Sequence, residues 1–145
     1  MEAWRIKNGR GLVVKSDISS QRRPRILVVD DDPGVIQILE ANLNHANFEV
    51  ISAANGTQAL AKASEERPDL ILLDVMLPDL DGLEVCRRLK RSPETAHIPI
   101  IIVSAKVKSK DRIAGIAAGA EDYITKPFVP LDAVALVEAR VRRGW

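Results

Sequence analysis

Cysteine is almost missing from this chain. Cys86 is the only one, so no internal disulfide can form, and that fits a reducing compartment. It falls on the apolar face of an expected helix and reads as a buried, inert thiol. Two histidines, His45 and His97, have no Cys or carboxylate beside them in sequence; they read as solvated surface, outside any metal or phosphotransfer role. The longest apolar run, Ile98–Val103, is far too short to span a bilayer. The first residues lack the apolar core and small-residue cleavage site of a secretory signal, so the expectation is a cytoplasmic protein with no membrane contact. No Gly-rich loop follows the first apolar run, which argues against a nucleotide- or flavin-binding domain. Neither sign of charge dominates: the net charge is +1, which favours no particular partner.

What remains is an ordinary globular composition, 46% apolar and 28% charged over 145 residues, enough for one domain. Charge is uneven along it. Residues 1–25 carry seven Lys/Arg against Glu2 and Asp17, a local +5 that leaves −4 on the remainder. Residues 1–24 mix charge, Gly and Ser without sustained periodicity and close on Pro24. They read as a flexible basic leader, solvated and low in structure. Trp4 and Trp145 stand near the chain ends and carry no evident chemistry.

From Arg25 the pattern is regular. Apolar strands are expected at 26–29, 49–53, 69–73, 99–103 and 121–124. Helical spacing follows each: from Pro33 through Leu43, Thr57 to Glu66, Leu83 to Arg91, Ser109 to Ala118 and Leu131 to Arg142. Asn55-Gly56 and the 78–82 stretch read as turn and loop. Alternating β and α with strands apolar on both faces imply a parallel sheet covered by helices on both sides, an α/β doubly wound domain. Ligands of such sheets bind beyond the carboxyl ends of the strands, so the chemistry belongs to Asp30, Asp31, Asp32, Asp74, Ser104 and Lys126. Carboxylates gathered there suit a hard divalent cation with oxygen ligands. An Asp can also act as a nucleophile toward phosphorus, with an ammonium, a hydroxyl and the metal neutralising the phosphoryl oxygens. The Arg87-Arg88-Lys90-Arg91 run reads as the wet face of a helix.

The segments ILVVDDDPG (26–34), DLILLDVMLPDLDG (69–82), IPIIIVSAK (98–106) and GAEDYITKPF (119–128) together resemble the receiver domain of bacterial two-component response regulators. The resemblance covers about residues 25–142, and the receiver domain is expected over 25–143. Its motifs stand in order, with 30 residues from Asp74 to Ser104 and 22 from Ser104 to Lys126. It implies a flavodoxin-like, five-stranded parallel sheet of order 2-1-3-4-5 with five helices. It implies that Asp74 is the phosphoacceptor, and that Asp30, Asp31 and Asp74 with the Met76 backbone carbonyl hold Mg2+. Ser104 and Lys126 would contact the phosphoryl group, and Ser104 and Tyr123 would form the switch. Asp32 is expected to cap the first helix, and Lys126–Pro127 to be cis. The implied partners are a sensor histidine kinase or phosphotransfer protein, and a second copy through the fourth helix, fifth strand and fifth helix. No direct nucleic-acid binding by this domain is implied. The protein would be a switch, catalysing only its own phosphorylation and dephosphorylation. The ending at Arg140–Arg143 leans toward a fragment of a longer regulator.

Two other classes compete. A metal-dependent phosphohydrolase with an Asp nucleophile commonly has a second acid two residues on, and that position here is Met76. A degenerate receiver that binds partners without phosphorylation would not need the full set of acids, hydroxyl and lysine.

Overall fold

The computed structural model describes residues 4–7, 12–15 and 22–143. It resolves the alternation into strands β1 (Arg25–Val29), β2 (Glu49–Ala53), β3 (Leu70–Leu73), β4 (Ile100–Ser104) and β5 (Asp122–Thr125). Between and after them run helices α1 (Pro33–His45), α2 (Gly56–Glu66), α3 (Gly82–Arg91), α4 (Ser109–Ala117) and α5 (Pro130–Arg143). The strands pair in parallel in the order β2-β1-β3-β4-β5. The chain goes one way from β1 to β2 and then returns past β1 to β3, so the strand order reverses between β1 and β3. Ligand sites of doubly wound sheets form at such a reversal.

Side chains alternate across each strand, and this sorts the core into two layers. Leu27, Val29, Ile71, Leu73 and Ile102 pack with Ala59 and Ala63 of α2 and Val85, Cys86 and Leu89 of α3. Ile26, Val28, Leu70, Leu72 and Ile101 pack on the other side with Leu39 and Leu43 of α1 and Val134 and Val137 of α5. Each such Leu or Ile contributes roughly 1.5–3 kcal/mol by leaving water, so central strands without polar side chains are the economical solution.

Several local features depart from the sequence reading. The leader expected to be irregular carries two strands, Trp4–Lys7 and Leu12–Lys15, paired antiparallel as a sheet of their own; residues 1–3, 8–11 and 16–21 of that leader lie outside the described residues. The signal was Asn8-Gly9 between short runs rich in β-formers, a hairpin pattern. Asn55 is an N-cap accepting from the Gln58 N–H at 2.8 Å, and Gly56 already lies in α2. β4 and β5 sit one residue further on than expected, so Ser104 ends a strand instead of following one. Lys90 turns from the wet face of α3 and donates to the carbonyls of Ala96 and Ile98, while Arg87, Arg88 and Arg91 surround Glu84 in the open. Helix α4 is the least anchored: Gly115 is its only buried residue, and Ile113 and Ile116 are 68% and 51% exposed.

Candidate functional site

Register brings the acids together. Val29 pairs with Leu73 across β1 and β3, so Asp30 and Asp74, the next residue of each, emerge side by side at one sheet edge. Their amides are tied into the sheet, Asp30 N–H donating to the Ala53 carbonyl at 3.1 Å and Asp74 N–H to the Val29 carbonyl at 3.0 Å. Neither side chain can swing into water: Asp30 is 2% exposed and Asp74 5%. Asp31 is exposed at the rim. One carboxylate oxygen from each of Asp30, Asp31 and Asp74 lies within 4.8 Å of the others. Three hard oxygen donors at that separation fit a small divalent cation such as Mg2+.

Lys126 directly follows the end of β5 and is joined to Pro127 by a cis peptide bond. Its Nζ donates to Asp30 Oδ2 at 2.6 Å and to Asp74 Oδ2 at 3.0 Å. Burial disfavours the charged forms of Asp30 and Lys126, and its effect is uneven. For Asp30, burial outweighs the hydrogen bonds from Lys126 and the Asp32 N–H, so its pKa stands above the ordinary carboxylate value. Burial would also lower the ammonium's pKa, but hydrogen bonds to Asp30 and Asp74 outweigh it and hold Lys126 above the ordinary lysine value. The lysine therefore stays charged and serves as the internal counterion of the pair.

The third consecutive acid has separate work. Asp32 caps α1 by accepting from the Gly34 N–H at 2.8 Å, with Pro33 opening the helix. Met76 lies in the loop after β3, and its N–H donates to Asp74 Oδ1 at 3.1 Å. Asp31, Lys106 and the 75–81 loop line an open cleft of about 500 Å³.

Among the described residues, Ser104 makes no hydrogen bond to the acids. It is fully buried at the end of β4, and its hydroxyl accepts from the Lys106 N–H at 3.4 Å. Tyr123 is buried on β5, opposite Ile102, and its hydroxyl donates to the Lys106 carbonyl at 2.7 Å. Ser104 and Tyr123 thus meet at one residue of the β4–α4 loop, Lys106. Burial raises the Tyr123 pKa, and the Arg112 guanidinium lies 5.5 Å from its ring centroid, within cation–π range. His45 and His97 are exposed, as expected.

The sequence places Asp79 only within a loop. Its carboxylate accepts from the Gly56 and Thr57 N–H groups at 2.7 and 2.9 Å, from the Thr57 hydroxyl at 2.6 Å and from its own neighbour Leu80 N–H at 2.8 Å. The Thr57 hydroxyl is the largest influence holding its carboxyl well below the usual range. Asp next to Pro in a loop is common, and only the fold reveals which helix end it meets.

The chain matches the response regulator receiver domain family model over residues 26–138. It is 46% identical over 120 residues to the alkaline phosphatase synthesis transcriptional regulatory protein PhoP of Bacillus subtilis, covering 83% of this chain and 49% of that protein. It is 45% identical over 122 residues to the DNA-binding response regulator MtrA of Mycolicibacterium smegmatis, covering 84% and 52%. The chain therefore spans about half the length of these curated relatives. Among solved structures, the receiver domain of the Francisella response regulator 1452 superposes with a TM-score of 0.80 at 29% identity, covering 85% of this chain and all of that one.

Proposed function

The chain belongs to the response regulator receiver domain family, signalling switches of two-component systems, and on that premise we propose that Asp74 is the residue that takes the phosphoryl group. A carboxylate oxygen of Asp74 attacks phosphorus of a phosphohistidine on a sensor kinase or phosphotransfer protein. The P–N bond breaks, its electrons go to the imidazole, and an acyl phosphate forms on Asp74. The observation that carries this reading is the buried Asp30–Lys126–Asp74 trio at the strand-order reversal. Lys126 neutralises the entering phosphoryl oxygens, and the Met76 N–H orients the Asp74 carboxylate. Asp30, Asp31 and Asp74, with the Met76 carbonyl, would hold Mg2+, which when bound supplies positive charge against the phosphoryl oxygens.

The Ser104 hydroxyl, now engaged with Lys106, turns toward the phosphoryl group. Lys106 then follows, and with it Tyr123, which biases the surface of α4, β5 and α5 between two states. Ile113 and Ile116 of α4 and a cavity of about 350 Å³ bordered by Tyr123, Phe128 and Leu136 suit that surface to a second copy or an output partner. Residues 25–143 form the receiver and residues 1–24 its leader. No helix among the described residues is long and apolar enough to cross a membrane, and we place the protein in the cytoplasm, where a kinase would meet it. Phosphorylation and hydrolysis are its own catalysed steps, with no other substrate turned over.

Incubation with Mg2+ and acetyl phosphate, followed by a phosphate-affinity gel, tests this. The wild type gains a base-labile adduct and Asp74→Asn gains none. An adduct of equal amount on Asp74→Asn rules out the assignment, and steady turnover of unrelated phosphate esters favours a hydrolase.

A further inference from the structure

The 76–81 loop forms one wall of the cleft that Asp31 and Lys106 also line, and it carries the Met76 N–H that donates to the Asp74 carboxylate. Its two ends are fixed by local contacts. At the start, the Leu77 N–H donates to the Val75 carbonyl; at the finish, the Gly82 N–H reaches the same carbonyl at 2.8 Å. Between those points Leu77 and Leu80 pack against the core, which holds the loop by contact but does not set the direction of its backbone. Among the described residues, its only hydrogen bonds to a distant segment are those that Asp79 accepts from Gly56 and Thr57. Three donors from the first turn of α2 converge on one carboxylate. The exposed positive end of that helix favours the negative charge.

An ordinary capping residue would explain satisfied helix amides, but α2 already has one. Asn55 immediately precedes the helix and caps the Gln58 N–H. Asp79 comes from more than twenty residues away and so couples two elements as well as ending one. Close packing at the same spot leaves no slack: a Cβ on Gly56 would lie 2.8 Å from Leu80 Cβ.

We propose that Asp79 is a positioning residue for phosphorylation, latching the 76–81 loop to the N-terminus of α2 so that Met76 presents its backbone to Asp74 and to the cation. The inference rests on the reading of Asp74 as phosphoacceptor and of Met76 as a contributor to the Mg2+ site. Groups that orient ligands from behind typically account for about ten- to a hundredfold in metal affinity or activity, whereas loss of a helix cap alone leaves a distant site's chemistry unchanged.

The test compares the full chain with Asp79→Ala, Asp79→Asn, Thr57→Val and the control Asn55→Ala. Mg2+ affinity is measured by calorimetry without phosphodonor, and the phosphorylation rate by varying acetyl phosphate at saturating Mg2+. Asp79→Ala is expected to weaken Mg2+ about tenfold and to lower the maximal rate by a similar factor, with the half-saturating acetyl phosphate little changed. Asp79→Asn, which keeps one acceptor oxygen, recovers part of the loss, and Thr57→Val shows a smaller loss in the same direction. Asn55→Ala lowers thermal stability but keeps wild-type Mg2+ affinity and rate. Equal losses in Asp79→Ala and Asn55→Ala, or none in either, overturn the latch while leaving the Asp74 assignment standing. A wild type that accepts no phosphoryl group refutes that assignment instead, and the Mg2+ titration still decides the latch.

Discussion

Replacing Lys126 with Met keeps an unbranched side chain one atom shorter and removes the charge that Asp30 and Asp74 share. Their side chains are 3% and 7% exposed, against 19% for Lys126, so water cannot take over the lysine's role. Removing one partner of a buried pair costs about 3–5 kcal/mol. The variant has one escape, which is to bind a proton. Holding a carboxyl of ordinary pKa 3.8 protonated at pH 7 costs about 4 kcal/mol, since each pH unit is worth about 1.4 kcal/mol. That is the ceiling for relieving the pair with one proton. The partial exposure of Lys126 places the loss toward the lower end, about 3 kcal/mol. The sign follows from linkage. Without the ammonium, the native Asp30 carboxyl titrates still further above its unfolded value, so the native state binds more protons and stability falls as pH rises. At pH 5 the same ceiling drops to about 1.5 kcal/mol. Urea unfolding in EDTA, followed by circular dichroism at both pH values, measures the deficit, and excess Mg2+ should restore more stability to Lys126→Met than to the wild type. A deficit equal at pH 5 and pH 7 and indifferent to Mg2+ would refute the electrostatic account and leave lost packing as the cause.

Gly82→Ala tests how tightly the loop beside Asp74 is built. An added Cβ would lie 2.2 Å from the Asp74 carbonyl oxygen and 2.5 Å from Val75 Cα, so backbone must move, at a cost of about 1–3 kcal/mol; thermal unfolding reads the cost, and phosphorylation by acetyl phosphate should fall with it. An unchanged midpoint and rate would mean that the loop yields freely. Alkali tests Tyr123 and Lys126 together. Both have native pKa values raised above their ordinary 10.0 and 10.5, so their contributions are complete below those values and are lost as pH rises through the native ones. Stability should decline in that range, and Tyr123→Phe should soften the decline; an identical profile for the variant would remove Tyr123 from the explanation.

How much of this was legible beforehand varies with the range of the interaction. The run Leu70–Leu73 declares a doubly buried strand because no side chain in it could face water, and an acid at its end can only belong to the sheet edge. Pro33 and Asp32 announce the start of α1 through local chemistry alone. The pairing of Val29 with Leu73, and hence of Asp30 with Asp74, followed once strand order was known. The partners of Lys126 were harder, since its ammonium lies closer to Asp30 than to the expected phosphoacceptor, across 96 residues of chain. Asp79 was invisible because its donors sit 22 and 23 residues earlier, at a helix end that already had a good cap. The N-terminal strand pair is hidden for the opposite reason: the Asn8-Gly9 signal in the sequence is local, and a highly charged composition masks it.

The glycine that seats α4 on the sheet has a consequence for how such a protein can diversify. A Cβ on Gly115 would lie 2.7 Å from Ile102 Cδ1, so the helix docks by backbone, and the isoleucines beside it carry little of the load of folding. Residues at positions 113 and 116 are therefore free to drift with small effect on the core. After gene duplication, a copy could acquire a new interlocutor through changes on this helix while its acid pocket, and the chemistry inside, stayed as inherited.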